Sequence, residues 1–110
     1  QFRAIARRCA GLVYPSCSEG GGGSAITCMH AGLIPILSYE TSVDVGSGGI
    51  ILRENSIDEI CSVVKDIAES PASELQDRSR EAWKQARGRH TRAIFAQEFA
   101  EFVDGALIGR

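Results

Sequence analysis

A carboxylate followed by four glycines and a serine, Glu19-Gly20-Gly21-Gly22-Gly23-Ser24, is where the residue types of this chain point most directly to chemistry. Glycine loses more backbone freedom on folding than any other residue, so four in a row need a cause. A flexible linker, a strained turn and a cradle for a ligand are the three readings. The linker reading conflicts with the flanks: an apolar run, Gly11 to Pro15, precedes the glycines and a helix start follows them. A strained turn needs one or two glycines rather than four. A glycine-rich loop entering a helix presents bare amide N–H groups at the positive end of the helix dipole. That is an anion site, usually for phosphate. Such a loop after a parallel strand also lies where open α/β sheets bind ligands.

Other reactive side chains surround the loop, each with a plainer reading. Glu19 is either a ligand-facing acid or a solvent-facing loop acid near a helix start. His30 falls late in the next helix, where a ring near the C-terminus is favourable without any proton transfer. Cys17 and Cys28 flank the loop, but without CxxC spacing they make a poor redox pair. Asp44 precedes a second glycine cluster and either contacts a ligand or ends a turn. The triphosphate loop GxxxxGK[ST] is absent, because no lysine follows the glycines. A dinucleotide reading survives through Gly20, Gly22 and Ala25 as GxGxxA, with Glu40 twenty residues on. The insert Ser16 to Glu19 between strand and glycines argues against it.

Stepping outward, the hydrophobic periodicity predicts the elements that hold this loop. Phe2, Ile5, Ala6 and Cys9 give a helix over 2–9, and 11–15 a buried strand. Ser24 is the expected cap of a short helix over 25–31, with Gly32 as its stop. Residues 33–38 and 50–52 read as two more strands, with Pro35 near the start of its strand. Ser56 and Glu59 form a capping box ahead of the stripe Ile57, Ile60, Cys61, Val64, Ile67 and Ala68. Ser70-Pro71 reads as the opening of the next helix, lined inside by Leu75, Ser79, Ala82, Trp83 and Ala86. Thr91 caps the last helix, with the stripe Ile94, Phe95, Phe99, Phe102, Val103 and Leu107. The fold class is therefore α/β: a Rossmann-like parallel sheet with flanking helices. Three strands are few for so many helices, so the chain reads as the second half of a doubly wound domain.

The whole chain is 110 residues, enough for one small domain, with a formal charge of −2. That balance argues against recruitment of nucleic acid or anionic membrane, and Arg7-Arg8 and the run Lys84 to Arg92 read as solvated faces. No apolar run approaches a membrane span and no signal peptide is visible. Cys9, Cys17, Cys28 and Cys61 show no paired metal spacing and read as reduced cytosolic thiols. The start at Gln1 reads as a cut within a longer protein.

Taken with its flanks, Cys9 to Ser38 resembles the donor-binding half of the nucleotide-sugar glycosyltransferases with two Rossmann domains (the GT-B fold, group 1 or family 4-like). Those proteins run from a strand ending P-S through E-G-F-G to a helix beginning E-A-M-A-x-G, then a strand such as L-P-V-V-A. Here Pro15-Ser16, Glu19-Gly20-Gly21-Gly22, Met29, Gly32 and Pro35 fall in register, with glycine in place of the aromatic. Gly46 and Gly49 match a later G-x-x-G, and the helices after residues 56 and 91 match the family's closing helices. The resemblance implies that residues 1–110 are a C-terminal donor-binding domain. The donor is a nucleotide-diphosphate sugar and the acceptor is unspecified. No cofactor or metal is implied, the location is cytoplasmic, and any membrane contact runs through a missing N-terminal domain. It implies that Glu19 approaches the donor sugar, and that the amides of Gly20, Gly21, Gly22, Gly23 and Ser24 hold the diphosphate. The family's second glutamate, a ribose ligand, falls on Thr27, a neutral and shorter group. The family's usual Arg and Lys have no counterpart here. The isolated chain is expected to be inactive and to self-associate. A non-catalytic nucleotide- or phosphate-binding module is the alternative that Thr27 favours, and a dinucleotide-dependent oxidoreductase fragment is the one that rests on Glu40.

Overall fold

The computed structural model describes residues 1–18 and 22–108, the last by its backbone alone. Among the described residues, five helices and three strands follow one another as α1 (Phe2–Ala6), β1 (Gly11–Tyr14), α2 (Gly23–His30), β2 (Ile34–Ser38), β3 (Ile50–Leu52), α3 (Ile57–Glu69), α4 (Ala72–Arg89) and α5 (Arg92–Ile108). A single 3-10 turn, Tyr39–Thr41, follows β2. The strands form one parallel sheet in the order β1-β2-β3. The protein is thus α/β, with a parallel sheet and flanking helices.

β2 is the central strand and is buried along its whole length. Pro35 survives there because of strand alternation. The Ile34 amide donates to Ala10 O at 3.0 Å, so the Ile34 backbone faces β1 and that of Pro35 faces β3. Pairing with β3 begins one residue later, at Ile36 opposite Ile50, so no ladder bond is lost. Gly49 sits against the proline ring. A Cβ there would lie 2.8 Å from Pro35 Cγ and 2.4 Å from Val45 Cβ, so β3 enters the sheet only with glycine at that point.

The core lies on one face of the sheet, where Leu12, Tyr14, Leu37 and Ile51 meet Ala25 and Met29 of α2, Val43, Val45 and Ala86 of α4. Polar ties then fasten α4. Ser79 donates to Gly32 O at 2.6 Å, and Gln85 to Asp44 O at 3.3 Å. The His90 ring nitrogen Nε2 donates to Asp44 O at 2.7 Å, and His30 Nε2 to His90 O at 2.8 Å. Both imidazoles are therefore structural donors to carbonyls, and Asp44 closes its own turn by accepting from the Gly46 amide.

Several expectations change in detail. Ser24 does not cap α2; the helix starts at Gly23 with Gly22 as its N-cap and no side-chain cap bond. Ser70 does not open α4; its hydroxyl donates back to Asp66 O at 2.7 Å and finishes α3. The helix expected over 2–9 stops at Ala6, with Phe2 and Ile5 exposed, because a five-residue helix with no surface to cover is marginal. Trp83 is 44% exposed and carries Arg87 5.4 Å from its ring centroid, in place of core packing. The α5 stripe is also open: Phe95, Phe99, Phe102 and Leu107 face solvent. The radius of gyration, 15.6 Å, exceeds the roughly 13 Å of a compact chain near this length, in keeping with so open a helix. Thr91 does cap α5, accepting from the Ile94 amide at 3.2 Å. None of the described helices is long and apolar enough to cross a membrane.

Candidate functional site

The carboxyl ends of all three strands are tied together just before the glycines. Ser38, at the end of β2, donates its hydroxyl to Ser16 O. Asn55, beyond β3, donates its side-chain amide to Pro15 O at 3.0 Å. Asn55 has left-handed backbone, φ +53°, which its short polar side chain tolerates. Ser16 accepts from the Ser18 amide at 3.3 Å and donates to Ser18 O at 3.0 Å, which turns the chain toward the glycines. The entry to the loop, at the end of β1, is therefore pinned from the other two strands.

Glu19, Gly20 and Gly21 lie outside the described residues. The chain returns at Gly22, buried, with φ +59°. A Cβ at Gly22 would lie 2.5 Å from Val43 Cγ2 and 3.5 Å from Thr41 O. Gly22 is thus required by the protein's own packing as well as by its dihedral angle. Gly23 differs: a Cβ there would meet nothing within 4 Å. Gly23 and Ser24 are exposed in the first turn of α2. Gly22 has no side chain to cap α2, and the first-turn amides lie at the positive end of its dipole.

Thr27 lies one turn further along α2 and is exposed; its hydroxyl donates to Gly23 O at 3.0 Å. Its proton is used within the helix, which leaves only oxygen lone pairs to face a ligand. Thr27 lines a cleft of about 540 Å³ between α1 and α2 with Phe2, Arg3, Ala6, Arg7, His30 and Ala31. Glu40 lies elsewhere, in the 3-10 turn after β2. It borders a cavity of about 630 Å³ with Tyr39, Arg53, Gly46 and Gly49, so both members of the second glycine pair meet there. A third cavity, about 510 Å³, opens beside the start of β2 among Cys9, Ile34, Leu75 and Trp83, and its lining is mostly apolar.

Glu59 carries the clearest electrostatic perturbation. Its amide makes the expected cap bond, donating to Ser56 Oγ at 3.1 Å. Its carboxylate reaches back past Ser56 to the amides of Arg53, Glu54 and Asn55, at 2.9, 3.0 and 2.7 Å. The Arg53 amide bond is the largest cause holding its pKa below the ordinary carboxylate range; the other two amides and the Arg53 charge add to it, against some desolvation. The capping box therefore also folds the β3–α3 turn that aims Asn55 at Pro15. Sequence reading missed Ser38 and Asn55 as the pins of the loop; the one available signal was an asparagine directly before the Ser56 cap.

The four cysteines are free, and the one close enough to act on Cys28 is Cys9. Burial first, and then Cys9, pushes the Cys28 thiol above its ordinary value, which makes it a poor nucleophile. Among the described residues no cluster of three His, Cys, Asp or Glu side chains is arranged to hold a metal. Comparison with protein-family models, with curated proteins and with solved structures gives no match.

Proposed function

We propose that this chain is the second half of a doubly wound donor-binding domain, from a cytoplasmic glycosyltransferase that uses a nucleotide-diphosphate sugar. The observation that carries the reading is the glycine N-cap of α2. Gly22 turns the chain with left-handed backbone, and the first-turn amides of α2 follow it beyond a parallel strand. In an open parallel sheet this is where a diphosphate is held, and amides already fixed in place stabilise a departing diphosphate. The strand order β1-β2-β3, in sequence order, is also that of the second half of such a sheet. On this reading Glu19 meets the donor sugar, Gly20 to Ser24 hold the diphosphate, and Thr27 faces the ribose.

A non-catalytic phosphate-binding module is the second reading, favoured by the Thr27 hydroxyl, which is turned onto Gly23 O. One experiment separates them. Nucleoside diphosphate is titrated into the protein and its Glu19→Ala variant, and sugar transfer is measured in the longer protein. Transfer lost with diphosphate affinity retained supports the transferase. Diphosphate binding without transfer in either form supports the module. Amide shifts that spare Gly22 to Ser24 refute both.

A further inference from the structure

The charge of this chain is unevenly spread. Residues 1–39 hold Arg3, Arg7 and Arg8 against one carboxylate, Glu19, whereas residues 40–110 hold 13 carboxylates against 9 lysines and arginines. Two of the three early arginines line the cleft between α1 and α2. Among the described residues neither Arg3 nor Arg7 has an ion-pair partner; the ion pairs present involve Arg78, Arg80, Lys84 and Arg89.

Helix electrostatics offset this pair only in part. Arg3 and Arg7 are four residues apart, joined by the Arg7 amide donating to Arg3 O, so their like charges repel along one face of a five-residue helix. Arg7 stands at the C-cap and Arg3 in the last turn of this short helix, so both sit toward its negative end, which offers roughly half a charge. The C-terminal end of α2, at His30 and Ala31, offers roughly half a negative charge. Two full positive charges exceed the sum of the two helix ends. The remaining polar groups of the cleft leave the arginines uncompensated: His30 donates Nε2–H to His90 O and Thr27 donates to Gly23 O.

We propose that the α1–α2 cleft is a second anion site, which takes a small phosphorylated molecule through Arg3 and Arg7. Each guanidinium presents planar paired donors that match phosphate oxygens, and a bridging anion turns the repulsion between them into attraction. Phe2, 46% exposed at the rim, gives an apolar ring for the rest of the ligand. The cleft volume of about 540 Å³ is in the range of small-molecule sites. The proposal stands apart from the donor-site reading. Thr27 is the one residue the two share, and the cleft runs from it toward the far end of α2.

The test uses inorganic pyrophosphate, titrated at constant ionic strength into the isotope-labelled chain, with amide shifts read residue by residue. Saturating shifts are expected over residues 2–7 and 27–31. Arg3→Gln with Arg7→Gln is expected to weaken them by about tenfold or more, as befits the loss of two charge-assisted contacts. Arg8→Gln removes the same kind of charge outside the cleft and is expected to change affinity by less than about twofold, since an exposed charge away from the site contributes little. Shifts at Gly22 to Ser24 report the donor loop separately and are expected to survive all three substitutions. The proposal is overturned if residues 2–7 and 27–31 do not saturate. It is equally overturned if the double variant binds as well as the parent, or if Arg8→Gln weakens binding as much as the double variant.

Discussion

Gly22 and Gly23 are adjacent and chemically identical, yet alanine is expected to act on them in opposite directions. At Gly22 the φ of +59° puts an alanine Cβ in the left-handed region, which costs about 1–2 kcal/mol. The same Cβ would stand 2.5 Å from Val43 Cγ2. Val43 is buried and β-branched, so it has little freedom to move away, and overpacking of this kind costs about 1–3 kcal/mol. Together Gly22→Ala is expected to destabilise the protein by about 2–5 kcal/mol, a large share of the roughly 5–15 kcal/mol that holds a domain folded. At Gly23 the backbone is helical and a Cβ meets open space, so alanine is expected to stabilise by about 0.5–1 kcal/mol. Thermal unfolding reads both. At about 4–8 °C per kcal/mol for a domain of this size, Gly22→Ala is expected to lower the midpoint by about 8 °C or more and Gly23→Ala to raise it by a few degrees. Equal shifts, or a loss at Gly23, would refute the structural reasoning. The pair also bears on function. The fold has no need of glycine at 23, so if Gly23→Ala stabilises the chain and leaves nucleoside diphosphate affinity intact, backbone approach by a diphosphate at that position is ruled out.

The pinned loop yields a pH dependence. Glu59 has its pKa lowered by the turn amides, so its contribution to stability is present above the ordinary glutamate range and is lost as pH falls through the lower folded value. Urea unfolding midpoints measured from neutral pH down into that range are expected to fall less steeply in Glu59→Gln than in the parent; identical slopes would refute the assignment. Ser56→Ala is expected to cost about 1 kcal/mol by removing the cap on the Glu59 amide, checked by the same unfolding curves at neutral pH. β1 is an edge strand, with the backbone groups of Gly11 and Val13 turned outward by strand alternation and Val13 42% exposed. The chain is expected to self-associate through this edge by pairing with a second copy. Sedimentation is expected to depend on concentration in the parent and not in Val13→Lys; a parent monomeric at high concentration would refute it.

What was legible in the sequence was local and periodic. The three strands, the Ser56 cap and the Thr91 cap needed only alternation or a hydroxyl three residues ahead of an amide, and the structure holds them within a residue or two. The glycine run was legible as a place where side chains are unwelcome, but the reason at Gly22 was not. It comes from Val43, twenty-one residues away, which folds back from the far side of β2. Ser24 was assigned as a cap from its residue type, whereas Gly22 holds the cap position with left-handed backbone and leaves Ser24 inside the first turn. Ser70 illustrates the same competition: one hydroxyl next to a helix end and a helix start can serve either, and it bonds to the carbonyl of Asp66 behind it. The ties that pin the loop, from Ser38 and Asn55, join residues 22 and 40 positions apart and have no periodic signature.

The helical stripes mark the limit of that legibility. Apolar spacing is far more regular in α3 than in α2, yet α2 buries Ala25 and Met29 completely while α3 buries none of its residues fully. The difference does not lie in the helices. α2 is the next described element after β1 and packs against both the sheet and α4, so parts of the same chain cover it on two sides. On the opposite face of the sheet Ile36 is covered but Val13, its partner on β1, is open, so cover stops short of the β1 edge. A stripe specifies which side of a helix turns inward, through the free energy of the apolar area that it offers. It carries no record of whether a surface exists to meet it. Phe95 and Phe99 make the point within α5: with no sheet beneath them, their rings stack on each other, 5.8 Å between centroids and 19° between planes, and the helix covers its own apolar face as far as two side chains can.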